Sequence, residues 1–261
     1  MRRSTTKYVL SVGLLSFGTL ALTPSCADNN SSLFVLGVIA TDASACVAKN
    51  DTASPMLAAG TLDTAFATSY TAFVLVGNQL TQRGSREQLR TETSRISLRG
   101  AEVTLTTLDG KELGRYSTVG TGFIDASQGD SPAYAAMAVN VIPPFLGMML
   151  KDELGPKQPA KVVLAKIRVF GDTLGNTSVT SSELDFPINV CAGCLVKYDT
   201  PDPMSPDAYR CPAAASSAMT TTAAAPCAFG QDKTFSCTTC AGAYPICRDP
   251  GLNDSFTKPT P

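Results

Sequence analysis

Apolar and polar residues alternate along much of this chain, and the alternation predicts strands. The segment Ser182 to Val190 shows it most sharply: Leu184, Phe186, Ile188 and Val190 take one face, and Glu183, Asp185, Pro187 and Asn189 the other. Pro187 lacks an N–H, which places this strand at a sheet edge. Lys161 to Gly171 repeats the pattern, with Val163, Ala165, Ile167 and Val169 inward. In Ile96 to Leu108, Val103, Leu105 and Thr107 oppose Glu102, Thr104 and Thr106. Asp109-Gly110 then reads as a hairpin turn in which both residues tolerate positive φ, with Leu113 to Ile124 returning. Ser69 to Leu80 and Met137 to Ile142 are further strands. Ser32 to Ala40 is an apolar run that reads as a strand buried on both faces. A loop carrying Cys46 and Pro55 follows it.

One helix is predicted, over Pro143 to Gly155. Proline suits its first turn, glycine its end, and Phe145, Leu146, Met149 and Leu150 share its apolar face. About seven strands with one short helix make a mainly β fold. Packing sheet on sheet is the economical way to bury alternating faces, so residues 32–190 are expected to form an antiparallel β-sandwich, immunoglobulin-like in topology. After Cys194 the texture changes. Asp199 to Asp207 is rich in Pro and Asp, and Ala213 to Ala225 is a low-complexity loop. Gly230 to Cys247 is too poor in core residues to fold without staples, and Asp249 to Pro261 reads as a frayed end.

Composition narrows the chemistry. The 261 residues contain no histidine and no tryptophan. Imidazole-based nucleophilic catalysis and imidazole metal ligation are therefore excluded, and the best ring for stacking on sugars is missing. Lys and Arg number 21 against 22 Asp and Glu, so the electrostatic footprint of a nucleic-acid binder is absent. Arg83, Arg86, Arg90 and Arg95 fall in one polar stretch. A solvated loop balanced by Glu87 and Glu92 is the favoured reading, ahead of an anion site.

The N-terminus gives an address. Arg2, Arg3 and Lys7 precede an almost wholly apolar run, Tyr8 to Leu22, followed by Thr23-Pro24-Ser25-Cys26 and then polar residues. This is the three-part plan of an export signal over residues 1–25, too short to cross a bilayer comfortably. Ser25-Cys26 resembles the cleavage site of bacterial lipoproteins, although Thr23 and Pro24 depart from that pattern. The resemblance implies lipidation of Cys26, a linker over 26–31, and a membrane partner reached through lipid alone. Ordinary cleavage to a secreted or periplasmic soluble protein is the alternative. Loss of Arg2, Arg3 and Lys7 leaves 18 basic against 22 acidic groups, so the mature chain has no evident attraction to anionic lipid.

Nine cysteines is an odd number for an exported chain. Giving Cys26 to lipid leaves Cys46, Cys191, Cys194, Cys211, Cys227, Cys237, Cys240 and Cys247, enough for four disulfides. Only Cys46 lies far from the C-terminal group. If all eight pair within the chain, Cys46 bonds one of the others across more than a hundred residues, a link on the order of 4–5 kcal/mol in the chain-entropy model. The pairs Cys191/Cys194 and Cys237/Cys240 have Cys-x-x-Cys spacing. Disulfides are favoured there over a four-thiolate zinc site or a thioredoxin-like redox motif, because the export signal implies oxidation.

No phosphate loop or EF-hand is present, and Asp199, Asp202 and Asp207 fit no calcium-loop spacing. The segments Val169 to Gly175, Glu183 to Leu195 (ending Cys191-Ala192-Gly193-Cys194-Leu195) and Cys227-Ala228-Phe229-Gly230-Gln231-Asp232 resemble uncharacterised bacterial outer-membrane lipoproteins. The resemblance implies a lipoprotein signal, a β-rich body over 32–190 and a disulfide-stapled region over 191–261, and it brings no catalytic residue, cofactor or metal. The expected role is a non-enzymatic structural or binding one at the cell envelope, with a protein or glycan partner of unknown identity. An exported hydrolase using carboxylates or a bound metal is the alternative.

Overall fold

Burying the alternating faces produces two packed sheets. A computed structural model describes residues 32–42, 46–85, 90–154, 160–198, 227–228 and 230–237. The expected signal over 1–25, Cys26 and its linker up to residue 31 lie outside this set, as do the 213–225 loop and the 249–261 end. In chain order the strands are β1 (Leu33–Ile39), β2 (Met56–Leu57), β3 (Gly60–Asp63), β4 (Tyr70–Asn78), β5 (Ile96–Thr107), β6 (Glu112–Ile124) and β7 (Ala133–Ile142). Helix α1 (Pro144–Glu153) follows, then β8 (Ala160–Thr173), β9 (Ser178–Thr180), β10 (Leu184–Cys191), β11 (Val196–Tyr198) and β12 (Phe235–Cys237).

The smaller sheet has the order β2-β1-β4-β7, and the larger runs β3-β10-β8-β5-β6 with β9 beside β8. Pairing is antiparallel except for β3 with β10 and β11 with β12. With the principal strands lettered in sequence, β1-β4-β7 is A-B-E and β10-β8-β5-β6 is G-F-C-C′. That is the immunoglobulin-like order, reached without a core tryptophan.

The inward residues are those the alternation names. Tyr70, Ala72, Val74 and Val76 of β4 meet Val163, Ala165, Ile167 and Val169 of β8, with Phe186, Ile188 and Val190 of β10 in the same cluster. The edges of the two sheets approach where the Tyr116 hydroxyl of β6 donates to the Val141 carbonyl of β7.

Several finer expectations are corrected. The strand β1 is not buried on both faces: Leu36 is 39% exposed. A register shift between Val35 and Gly37 makes Leu36 the extra residue of a bulge, which turns it outward. Strand β10 is an edge only over Leu184 to Pro187, since β3 covers Ile188 to Cys191. Pro187 is tolerated because it faces Leu164 of β8 on one side and lies just before the first residue that β3 pairs. At the β5–β6 turn only Gly110 has positive φ (+86°). Gly110 N–H donates to Thr107 O and Thr107 N–H to Lys111 O, so the connection is a type I turn with a glycine bulge rather than a two-residue turn. Helix α1 buries Leu146, Gly147 and Leu150, while Phe145 is 60% exposed. The helix lies so close to the segment after β3 that a Cβ on Gly147 would meet the Thr68 carbonyl. That contact fixes the rotation of α1 and carries Phe145 outward.

At the end of the sandwich where β1 begins, the 79–95 and 125–132 connections meet. Asn78 is wholly buried there. Its Nδ2 donates to Ser94 O and Asp125 O, both at 2.9 Å, and its Oδ1 accepts from Leu80 N–H. Both donors and one acceptor site are thus used, so a buried amide costs little here. Replacing it with an apolar side chain of similar size leaves two carbonyls and an N–H without this partner. Asn78→Leu is expected to lower stability by about 3 kcal/mol, read as a reduced urea midpoint at unchanged slope.

Candidate functional site

The opposite end of the sandwich gathers the chain's unusual chemistry. Strand β3 ends there at Asp63, β4 begins at Tyr70, β10 ends at Cys191, and residues 230–232 dock against β3 and the start of β4. Among the described residues there are two disulfides, Cys46–Cys227 and Cys191–Cys194. Cys46 therefore does reach a C-terminal cysteine, and that cysteine is Cys227. Cys211, Cys240 and Cys247, and the side chain of Cys237, lie outside the described residues.

The two bridges do different things. Cys46–Cys227 spans 181 residues, and the chain-entropy model gives such a loop about 5 kcal/mol. Cys191–Cys194 spans three residues, and the same relation gives about 2 kcal/mol. The first holds the tail to the body; the second contributes little to architecture. As a disulfide, Cys191–Cys194 also offers no thiolate pair to a metal.

Asp63 organises this end. It is 0% exposed. Its Oδ1 accepts from Gly193 N–H at 2.6 Å and from Ala65 N–H at 3.0 Å, and its Oδ2 accepts from Leu195 N–H at 2.9 Å. Three amides replace the water that the carboxylate gave up, the condition under which a buried charge is tolerable. Two of the three belong to the Cys191–Cys194 turn, whose Gly193 sits at φ +81°. Thr64 clasps the same turn from N–H and hydroxyl, both donating to Cys191 O. Asp63, Cys191 and Cys194 bring a carboxylate oxygen and two sulfurs within 4.8 Å of one another.

The docked tail is read by side chains that sequence reasoning passed over. Asp232 accepts from the Tyr70 hydroxyl at 2.9–3.0 Å and from Thr61 N–H at 2.8 Å. Gln231 donates to Ser69 O at 2.8 Å. Burial pushes the Asp232 carboxyl up, against the opposing pull of the Thr61, Tyr70 and Lys233 groups. Burial and the Asp232 charge together push the Tyr70 hydroxyl up, so Tyr70 stays a donor at any ordinary pH. A small cavity of about 80 Å³ lies between Ile39, Tyr70, Cys227 and Asp232. At about 30 Å³ per water it has room for two or three waters, well short of the 300 Å³ or more of a typical ligand pocket. An open hollow elsewhere is lined in part by Asp109, Lys111, Glu153 and Lys161.

Within the arginine stretch, the structure describes one ion pair. Arg95 pairs with Asp125 at 3.0 Å and lies over the Phe123 ring. The Glu92 carboxylate accepts from the N–H groups of Arg83, Gly84 and Ser94. Arg86 and Glu87 lie outside the described residues.

No protein-family model matches the chain, and no curated protein matches it in sequence. Among solved structures, the chain is similar over 49% of its length to a "putative beta-galactosidase" from Bacteroides fragilis, at 15% identity and a TM-score of 0.16. The matched part is 17% of that chain. A likeness this slight carries no argument about activity.

Replacing both Cys46 and Cys227 with serine is expected to cost about 5 kcal/mol and to release the tail, measured by urea unfolding and by proteolysis near Gly230. For Glu92, desolvation raises the carboxyl, but the amides of Gly84, Ser94 and Arg83 outweigh it and hold it below its usual value. A depressed carboxyl stabilises above its unfolded pKa, and the gain is lost as pH falls through the folded value. Protection of the Gly84 and Ser94 amides, corrected for intrinsic exchange, should therefore hold at pH 6 and fall away below pH 4.

Proposed function

We propose that this protein is an exported, lipid-anchored envelope protein with a non-enzymatic structural or binding role. The observation that carries the reading is the Cys46–Cys227 disulfide. It joins segments 181 residues apart on a sandwich whose tail docks through it, an arrangement suited to an oxidising compartment. The apolar run from Tyr8 to Leu22 and the Ser25-Cys26 site supply the export route and the anchor. The outer membrane is the expected destination.

The carboxylates at the tail end support a structural use over a hydrolytic one. Asp63 is filled by three backbone amides, and Asp232 is turned onto Tyr70 and Thr61. A glycosidase needs two carboxyl groups flanking a cleft wide enough for a sugar ring, and the cavity beside Asp232 is far smaller than that. No described helix is long and apolar enough to cross a membrane.

Cys26→Ala is expected to move the protein from the membrane fraction to the soluble exported fraction and to remove the mass of the attached lipid. Retention of the variant in membranes at the wild-type level would overturn the anchor.

A further inference from the structure

We propose that Cys191–Cys194 is a reversible dithiol–disulfide centre that exchanges with thiols and dithiols, with Cys194 as the sulfur that is attacked. The inference goes beyond the envelope reading and stands without it.

Three observations carry it. The two sulfurs differ in access: Cys191 is 1% exposed at the end of β10, while Cys194 is exposed. A thiolate from outside therefore has readier access to Cys194 than to Cys191. Next, the turn does not depend on the disulfide. Asp63 holds Gly193 and Leu195 by their N–H groups, and Thr64 holds the Cys191 carbonyl. None of these bonds involves sulfur, so all survive reduction and keep the two thiols opposed. Closing is then intramolecular and fast, the condition for a bridge that cycles rather than breaks. Finally, Cys191 Sγ lies 3.6 Å from Leu62 O. The sulfur of a disulfide has no proton to give, but the thiol formed on reduction does, and it has an acceptor waiting.

The exchange balances as follows. A thiolate of the reductant attacks Cys194 Sγ, and the bond between Cys194 and Cys191 breaks. Cys191 leaves with the electron pair, takes a proton and faces Leu62 O. The second thiolate of the reductant then attacks its own sulfur on Cys194, releasing the Cys194 thiolate, which is protonated. Two electrons and two protons pass from a dithiol to the protein, and the reductant leaves as a disulfide. A dithiol protein is the matching partner class. Asp63 acts as a positioning residue, since it holds the turn without touching the reductant.

The test uses the full oxidised chain in glutathione buffers of graded redox ratio, with alkylation at each ratio. Cys191 and Cys194 fall in one tryptic peptide, Val169 to Lys197, which keeps them apart from all other cysteines. That peptide is expected to become reduced at a more oxidising ratio than Cys46–Cys227, with far-UV circular dichroism unchanged. Rapid quenching is expected to place glutathione on Cys194 and the alkyl group on Cys191, read by fragment masses. Reduction only together with Cys46–Cys227 and with loss of structure, or glutathione on Cys191, would overturn the proposal. In Asp63→Ala, ring closure against glutathione is expected to weaken about tenfold, because the freed turn lets the thiols separate. An unchanged constant would remove Asp63 from the account, and if this variant does not fold the wild-type measurements decide alone.

Discussion

The Asp63 carboxylate is the constraint on which one end of the molecule depends. Burying it was costly, and the cost is offset only because Ala65, Gly193 and Leu195 all present N–H groups to it. Those groups come from chain segments about 130 residues apart. They converge because β3 lies parallel to β10, with Asp63 opposite Cys191. The dependence also runs the other way. Strand β3 has only four residues, and a short parallel edge pair has little stability of its own. The carboxylate fastens its final residue to the turn beyond β10. The docked tail then fastens it again, through Asp63 N–H to Gly230 O and Asp232 N–H to Thr61 O.

The other end follows the same logic with a neutral group. Asn78 joins the 79–95 and 125–132 connections by side-chain bonds to Ser94 and Asp125. Between these two polar fixtures the core is almost wholly aliphatic, with two buried aromatics, Phe186 and Tyr70, the second aimed at the tail. The hydrophobic layers hold the sheets together but say little about which loops meet at the ends. The buried polar side chains make that choice, since each is tolerable only in the arrangement that satisfies it.

This division explains how much of the fold was legible in sequence. Alternation in Lys161 to Gly171 and in Ser182 to Val190 marks inward faces directly, because a period of two has one physical meaning on a half-buried strand. Strand β3 was not legible. Gly60-Thr61-Leu62-Asp63 is too short to show a period, and its partner lies more than 120 residues away. The outward turn of Phe145 was also hidden, since it depends on the close approach of Gly147 to Thr68 O. At the candidate site, the cysteine spacing pointed to a bridge. Nothing local distinguished Asp63 from the other acids, because its role lies in amides supplied by Gly193 and Leu195. The Gly230-Gln231-Asp232 segment stood out only by resemblance, and its hydrogen bonds to Thr61, Ser69 and Tyr70 supply the reason for those residue types.

The register also orients the molecule under the proposed anchor. Leu33 pairs with Asn78 at the end of β4, so the chain enters the sandwich beside the Asn78 fixture. Cys191, Asp63 and the docked tail lie at the far end, beside Tyr70 at the start of β4. Strand β4 has nine residues, and at about 3.3 Å per residue the two ends stand roughly 30 Å apart. A lipid on Cys26, a few residues before Leu33, would hold the Asn78 end toward the bilayer and present Cys194 away from it. The anchored end would then be the one whose loops are tied down by a buried amide. The free end would carry the Cys191–Cys194 turn, where a soluble dithiol partner approaches without crossing the membrane surface.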